Sequence, residues 1–166
     1  MSRTPTIDKA KLREALVGRL REELTSRFQA ARAAEAGATD PQNKAENKYD
    51  TRGLELSYLA AGQGRQIVEL QASIAEIEAM TVRDFTPGEP AGLGALVTLA
   101  SAAPGEAETL YFIAPGGGGT EVQMGRKEIV IITPVSPLGR QLIGKKKGDE
   151  FTLARTGPTH RILAVC

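Results

Sequence analysis

From position 12 the chain sets an apolar residue every three or four places: Leu12, Leu16, Leu20, Leu24, Phe28 and Ala31. That spacing lines one face of a helix. A second series, Leu56, Ala60, Gln63, Ile67, Leu70, Ile74 and Ile77, alternates steps of four and three, the seam of a heptad repeat. Between them lies AGATDPQNKAENKYD, in which Gly37 and Pro41 end the first helix. Asp40 or Asn43 is placed to cap the second. Two apolar stripes joined by a short break predict an antiparallel helical hairpin, a coiled coil with its tip at about residues 37–50. About 30 residues per helix, at about 1.5 Å each, make an arm of about 45 Å. Periodicity leaves its use open between a projecting probe and an oligomerising coiled coil or half of a four-helix bundle. Gln63 and Gly53 interrupt the stripe and weaken a tight dimer, so a monomer is expected.

Beyond about Met80 the pattern shifts from helical periods to short β-branched runs. Residues 81–166 hold seven of the nine prolines and many glycines. The chain therefore divides into a hairpin at 1–80 and a β-domain at 81–166. Strands are predicted at 93–100, 109–114, 128–133, 150–154 and 160–165. The run EIVIITP is apolar and β-branched, so its strand is expected inside the sheet. SPLGRQLIG reads as a short helix with Ser136 at the N-cap and Pro137 at its first position. PGGGG at 115–119 reads as a turn between strands. The fold class is α+β: the hairpin, then an antiparallel β-domain with one short helix.

Composition narrows the function. The 166 residues carry 21 Lys plus Arg and 20 Asp plus Glu, a net charge of +1, which excludes attachment to nucleic acid by bulk charge alone. Cys166 is the single cysteine, so neither an internal disulfide nor a cysteine-rich metal site is available. MSRTPTIDKAKLR lacks the apolar segment of a signal peptide, and no run nears the roughly 20 residues of a membrane span. A soluble, cytoplasmic protein is expected.

The stretch PVSPLGRQLIGKKKGDEFTL at 134–153 resembles the C-terminal signature of the GreA/GreB transcription factors: Ser-Pro-x-(Gly/Ala)-Arg-x-Leu-(Leu/Ile)-Gly-Lys, then Gly-Asp and a strand. Ser136, Pro137, Arg140, Leu142, Gly144, Lys145, Gly148 and Asp149 fit it. GLGALVTLA at 92–100 and THRILAVC at 159–166 are similar to that domain's opening and closing strands. AENKYDTRGLELSYLAAGQ is a looser match to the hairpin tip and the start of the second helix. The order of parts agrees as well, so the resemblance covers essentially the whole chain.

The resemblance implies an FKBP-like β-domain and a factor that binds core RNA polymerase. It implies that the hairpin enters the secondary channel, where it meets the transcript RNA 3′ end and DNA template only within the elongation complex. Such a factor is not an enzyme; it stimulates the polymerase's own cleavage of backtracked RNA, and two tip carboxylates help hold a Mg2+ shared with the polymerase. No cofactor of its own is expected. Magnesium is a hard cation that takes oxygen ligands, which suits carboxylates. Here the tip offers Asp40, Glu46 and Asp50, with Asn43 and Asn47 beside them. No register reproduces the family's paired acids. Glu46 and Asp50 stand four apart, on one helix face if helical, as a substitute metal pair. Lys44, Lys48 and Arg52 offset the three acids, and ion pairing is the competing use of the same side chains. A channel-binding regulator without cleavage activity therefore stands as the alternative. Ser136, Pro137, Leu138 and Arg140 are the expected polymerase-docking residues; capping and core packing is the plainer reading of that segment.

Two further patterns look chemical and are not read as such. GRQLIGKK at 139–146 fits G-x-x-x-x-G-K, but Lys146 stands where a phosphate loop needs Ser or Thr. His160, the single histidine, has no nucleophile or acid placed by sequence to join it.

Overall fold

The structure is a computed structural model of the chain, and it describes residues 7–43, 52–100 and 107–166. Two long helices come first, α1 at Lys9–Thr39 and α2 at Arg52–Ala79, with a 3-10 turn at Pro41–Asn43 after α1. A six-stranded sheet follows: β1 at Leu96–Ala100, β2 at Thr109–Ile113, β3 at Glu121–Met124, β4 at Lys127–Ile132, β5 at Glu150–Thr152 and β6 at Thr159–Val165. A short helix, α3 at Pro137–Leu142, lies between β4 and β5. The α+β class read from the sequence is the class observed.

Packing divides the chain into two compact units. Residues 18–74 form one, and residues 1–17 with 75–166 form the other. The partition by composition, 1–80 and 81–166, follows residue grammar; packing assigns the start of α1 and the end of α2 to the sheet's unit.

In the helical unit, Arg27 of α1 bonds Gln66 of α2 and the Glu23 carboxylate one turn back. Arg27 and Gln66 are about equally far from the connecting segment, as an antiparallel pair requires. Leu20, Ile67 and Ile74 are buried. Phe28, expected in the stripe, is instead 44% exposed. Asp40 caps neither long helix: its Oδ1 accepts from the Gln42 amide at 2.8 Å and closes the 3-10 turn, because that turn supplies the nearest unpaired amide.

In the sheet's unit, Asp8 caps α1 by accepting from the amides of Ala10 and Lys11 at 3.0 and 3.1 Å. Leu12 and Leu16 are fully buried, each contributing about 2 kcal/mol of apolar burial. Lys9 is 5% exposed. Its ammonium donates to the carbonyls of Arg83 at 2.8 Å and Gly94 at 3.1 Å and to that of Cys166. Burial draws its pKa below the usual lysine value, against the raising influence of Asp84.

The strand order is β3-β4-β2-β1-β6-β5. Both faces are buried. On one, Val97, Leu99, Ile113, Ile132 and Ile162 form a core with Leu142 of α3 and Phe151. On the other, the register lines Leu96 against Phe112 and Phe112 against Ile131.

The expected all-antiparallel sheet is corrected at one pair: β2 and β4 run parallel. PGGGG does not close a hairpin. It carries the chain past β4 to a strand the sequence reading missed, β3, at the sheet edge. Gly119 donates to the Ile131 carbonyl at 2.8 Å, and Ile131 donates back to the Thr120 carbonyl at 2.8 Å. β3 escaped notice because it is four residues long with one buried side chain, Val122.

The segment between α2 and β1 is held by a local knot. The Arg83 guanidinium lies 4.0 Å from the Phe85 ring centroid and bonds Glu89, while Glu89 Oε2 accepts from the Thr86 amide at 2.9 Å. The Arg83 hydrogen bond and then the Thr86 amide hold the Glu89 carboxyl down to about 2. A depressed carboxyl stabilises the fold fully above its ordinary value of 4.5, and that contribution disappears as pH falls toward 2. Glu89→Gln is expected to flatten the pH dependence of stability between those limits while leaving stability at pH 2 unchanged. Urea titrations of both proteins at pH 5 and pH 2.5 check this; parallel acid losses would contradict it.

Candidate functional site

The segment from Thr133 to Asp149 builds the site. The Thr133 carbonyl ends β4's line and accepts twice from Ser136, from its amide at 3.0 Å and its hydroxyl at 2.8 Å. The Ser136 hydroxyl oxygen in turn accepts from the Gly139 amide at 3.0 Å, the N-cap bond of α3. Pro137 occupies the first helical turn, where its missing N–H costs nothing. Gly139 is needed for space: a Cβ there would stand 1.9 Å from the Thr133 carbonyl oxygen. Leu142 is fully buried in the core beneath, and Leu138 packs against that core half-buried. α3 is thus pinned at its start and from below.

What remains outward is a mixed face. Pro137 and Arg140 are exposed, Val135 is 72% exposed and Ile143 is 41% exposed. The four expected docking residues therefore divide. Ser136 is spent on the cap and Leu138 partly on the core, while Pro137 and Arg140 face solvent. Val135, absent from the sequence reading, is the most exposed large apolar residue described; its position in the strand-to-helix turn carries no periodic signal.

The lysine run leads away from α3. Gly144 donates to the Ala91 carbonyl at 2.8 Å, and the Lys145 carbonyl accepts from Ala91 at 2.7 Å. Asp149 accepts from the Lys146 amide at 2.8 Å, so this acid closes the lysine loop. Arg140–Leu142 are helical and Gly139 is buried, which is no geometry for a phosphate loop. His160 stacks on Phe151, centroids 5.5 Å apart, as a packing residue opposite it in the β5–β6 register.

At the turn between α1 and α2, Asp40 is exposed and Asn43 is the last residue of the 3-10 turn. Glu46, Asn47 and Asp50 lie outside the described residues. Among the described residues no group of three or more His, Cys, Asp or Glu stands together as a metal site. No helix is long and apolar enough to cross a membrane, among the described residues.

These parts are a helical hairpin and a sheet whose Ser-Pro-x-Gly-Arg helix is capped and pinned. The chain is 33% identical over 97 residues to the transcription elongation factor GreA of Methylococcus capsulatus, a stretch covering 58% of this chain and 56% of that protein. The chain thus spans about half the length of the curated relative it matches. No family model matches it. Among solved structures, GreA factor homolog 1 (Gfh1) of Thermus thermophilus is 23% identical, over 92% of this chain and 95% of that one, with a TM-score of 0.37. Gfh1 of Thermus aquaticus is 21% identical, over 92% and 94%, with a TM-score of 0.36.

Proposed function

We propose that the chain is an RNA polymerase-binding transcription elongation factor that acts through the polymerase's secondary channel, an accessory protein and not an enzyme. The observation that carries this reading is the identity to GreA. The α3 face supports it: a fixed apolar and cationic surface of Val135, Pro137, Arg140 and Ile143 has the makeup of a docking patch. In this reading α3 docks on the polymerase, and the hairpin end, with Asp40, Asn43, Glu46, Asn47 and Asp50, works at the polymerase active site beside the transcript.

The magnesium that such a factor shares with the polymerase does not find its donor set in the described residues. Asp40 is the single described acid at the tip, and one of its oxygens already accepts from Gln42. No step is therefore routed through the ion. A specific observation favours a second reading, a channel-binding regulator without cleavage: Lys44, Lys48 and Arg52 offset Asp40, Glu46 and Asp50.

The test has two stages. Core RNA polymerase is first used to retain the wild-type chain at low salt; failure to bind removes both readings. Stalled, backtracked complexes are then mixed with the chain and magnesium. Shortened RNA that disappears with a triple Asp40→Ala, Glu46→Ala, Asp50→Ala variant supports cleavage, and binding with no shortened RNA supports the second reading. A stable dimer in size-exclusion that buries the hairpin end would replace both with an oligomeric adaptor.

A further inference from the structure

We propose that α2 carries a hinge at Gly62–Gln63–Gly64, about which the turn-proximal part of the hairpin opens while the remainder stays folded. Three independent observations converge there. The first is that neither glycine has a packing reason to be one. A Cβ added at Gly62 or Gly64 would meet no atom within 4 Å, so alanine fits at both. Each glycine nevertheless weakens a helix interior, because its backbone gives up the most freedom on folding.

The second is the side chain between them. Gln63 falls at a seam position of the heptad pattern, and its Oε1 is buried with no hydrogen-bond partner among the described residues. A polar atom dehydrated without a partner opposes closure of the seam at that level.

The third is the distribution of apolar burial. On the far side of the glycines from the turn, Ile67 and Ile74 of α2 and Leu20 of α1 are buried, and Arg27 ties Gln66. Toward the turn, Ala34 is the one buried residue of α1 between Gln29 and Thr39 among the described side chains. Local opening follows where buried apolar contact is sparse. The glycines thus stand near the level at which described apolar burial on α1 becomes sparse. Opening there lets the end of the hairpin adapt to a surrounding surface without unfolding its base. The proposal concerns the free chain and does not depend on its partner.

Hydrogen–deuterium exchange on the full chain tests it, comparing wild type, a Gly62→Ala/Gly64→Ala variant and Gly18→Ala. Gly18 is also a helical glycine with open space around its added Cβ. In wild type, amides 52–64 are expected to exchange at least tenfold faster than amides 67–79, with the step at the glycines. At about fivefold per glycine, the double variant is expected to slow amides 52–64 by about 25-fold and erase the step. Gly18→Ala is expected to leave it in place. Uniform exchange along α2 in wild type overturns the hinge, as does a step that survives in the double variant or vanishes in Gly18→Ala.

Discussion

Replacing Lys9 with methionine is expected to lower the unfolding free energy of the sheet's unit by about 3 kcal/mol. The ammonium has three protons, and three carbonyls receive them: Arg83 from the segment after α2, Gly94 ahead of β1, and Cys166 just beyond β6. One cation therefore ties three stretches of chain that are remote in sequence. The Phe85 ring, 4.8 Å from the ammonium to its centroid, closes the site on another side. Methionine keeps much of the apolar stem and removes all three bonds; the Cys166 oxygen still accepts from the Leu96 amide, while the Arg83 and Gly94 carbonyls lose the ammonium, at about 1–3 kcal/mol each before rehydration recovers part of it. Lys9→Arg is expected to recover less than half of the loss, because a planar guanidinium does not converge on three acceptors as a tetrahedral ammonium does. Urea unfolding followed by circular dichroism measures both. A methionine variant within about 1 kcal/mol of wild type would show that water replaces the ammonium freely and that the tie is incidental.

On the proposed docking through α3, Arg140→Glu is expected to weaken retention by core RNA polymerase tenfold or more while leaving the urea midpoint unchanged. The two readouts separate because Arg140 is exposed, whereas the work of holding α3 falls to Ser136, Gly139 and Leu142. Reversing an interfacial charge removes an attraction and adds a repulsion, together worth about 1.4 kcal/mol or more for a tenfold change. Leu142→Ala is the contrasting variant: its side chain is fully buried, so it is expected to lose about 3 kcal/mol of stability. If Arg140→Glu is retained like wild type, the proposed docking through the α3 face is wrong.

The hairpin and α3 were legible because their signals are local. A period of three and four marked α1 and α2, and Ser-Pro marked the start of α3, where Ser136 and Pro137 stand as expected. Even there, local pattern overreached. Leu12, Leu16 and Leu20 are buried, but Phe28 continues the same spacing and is exposed, since spacing names a face without saying what covers it. Lys9 was overlooked although it stands three residues before Leu12, in register with the stripe. A lysine on an apolar face is a faint sign of a buried cation, and the carbonyls it serves lie 74, 85 and 157 residues away.

The sequence by itself determined the α+β class, the order of its parts, the capped helix at Ser136 and the likeness to Gre factors carried by residues 134–153. It did so because helix period, cap chemistry and turn residues act over a few neighbouring positions. Only the tertiary structure decided that β2 and β4 run parallel with β3 outside them, that residues 7–17 pack in the sheet's unit, and that Pro137 and Arg140 face solvent while Leu142 does not. Those outcomes depend on which distant surfaces exclude water together, and one strand's pattern of apolar residues is compatible with a neighbour running in either direction.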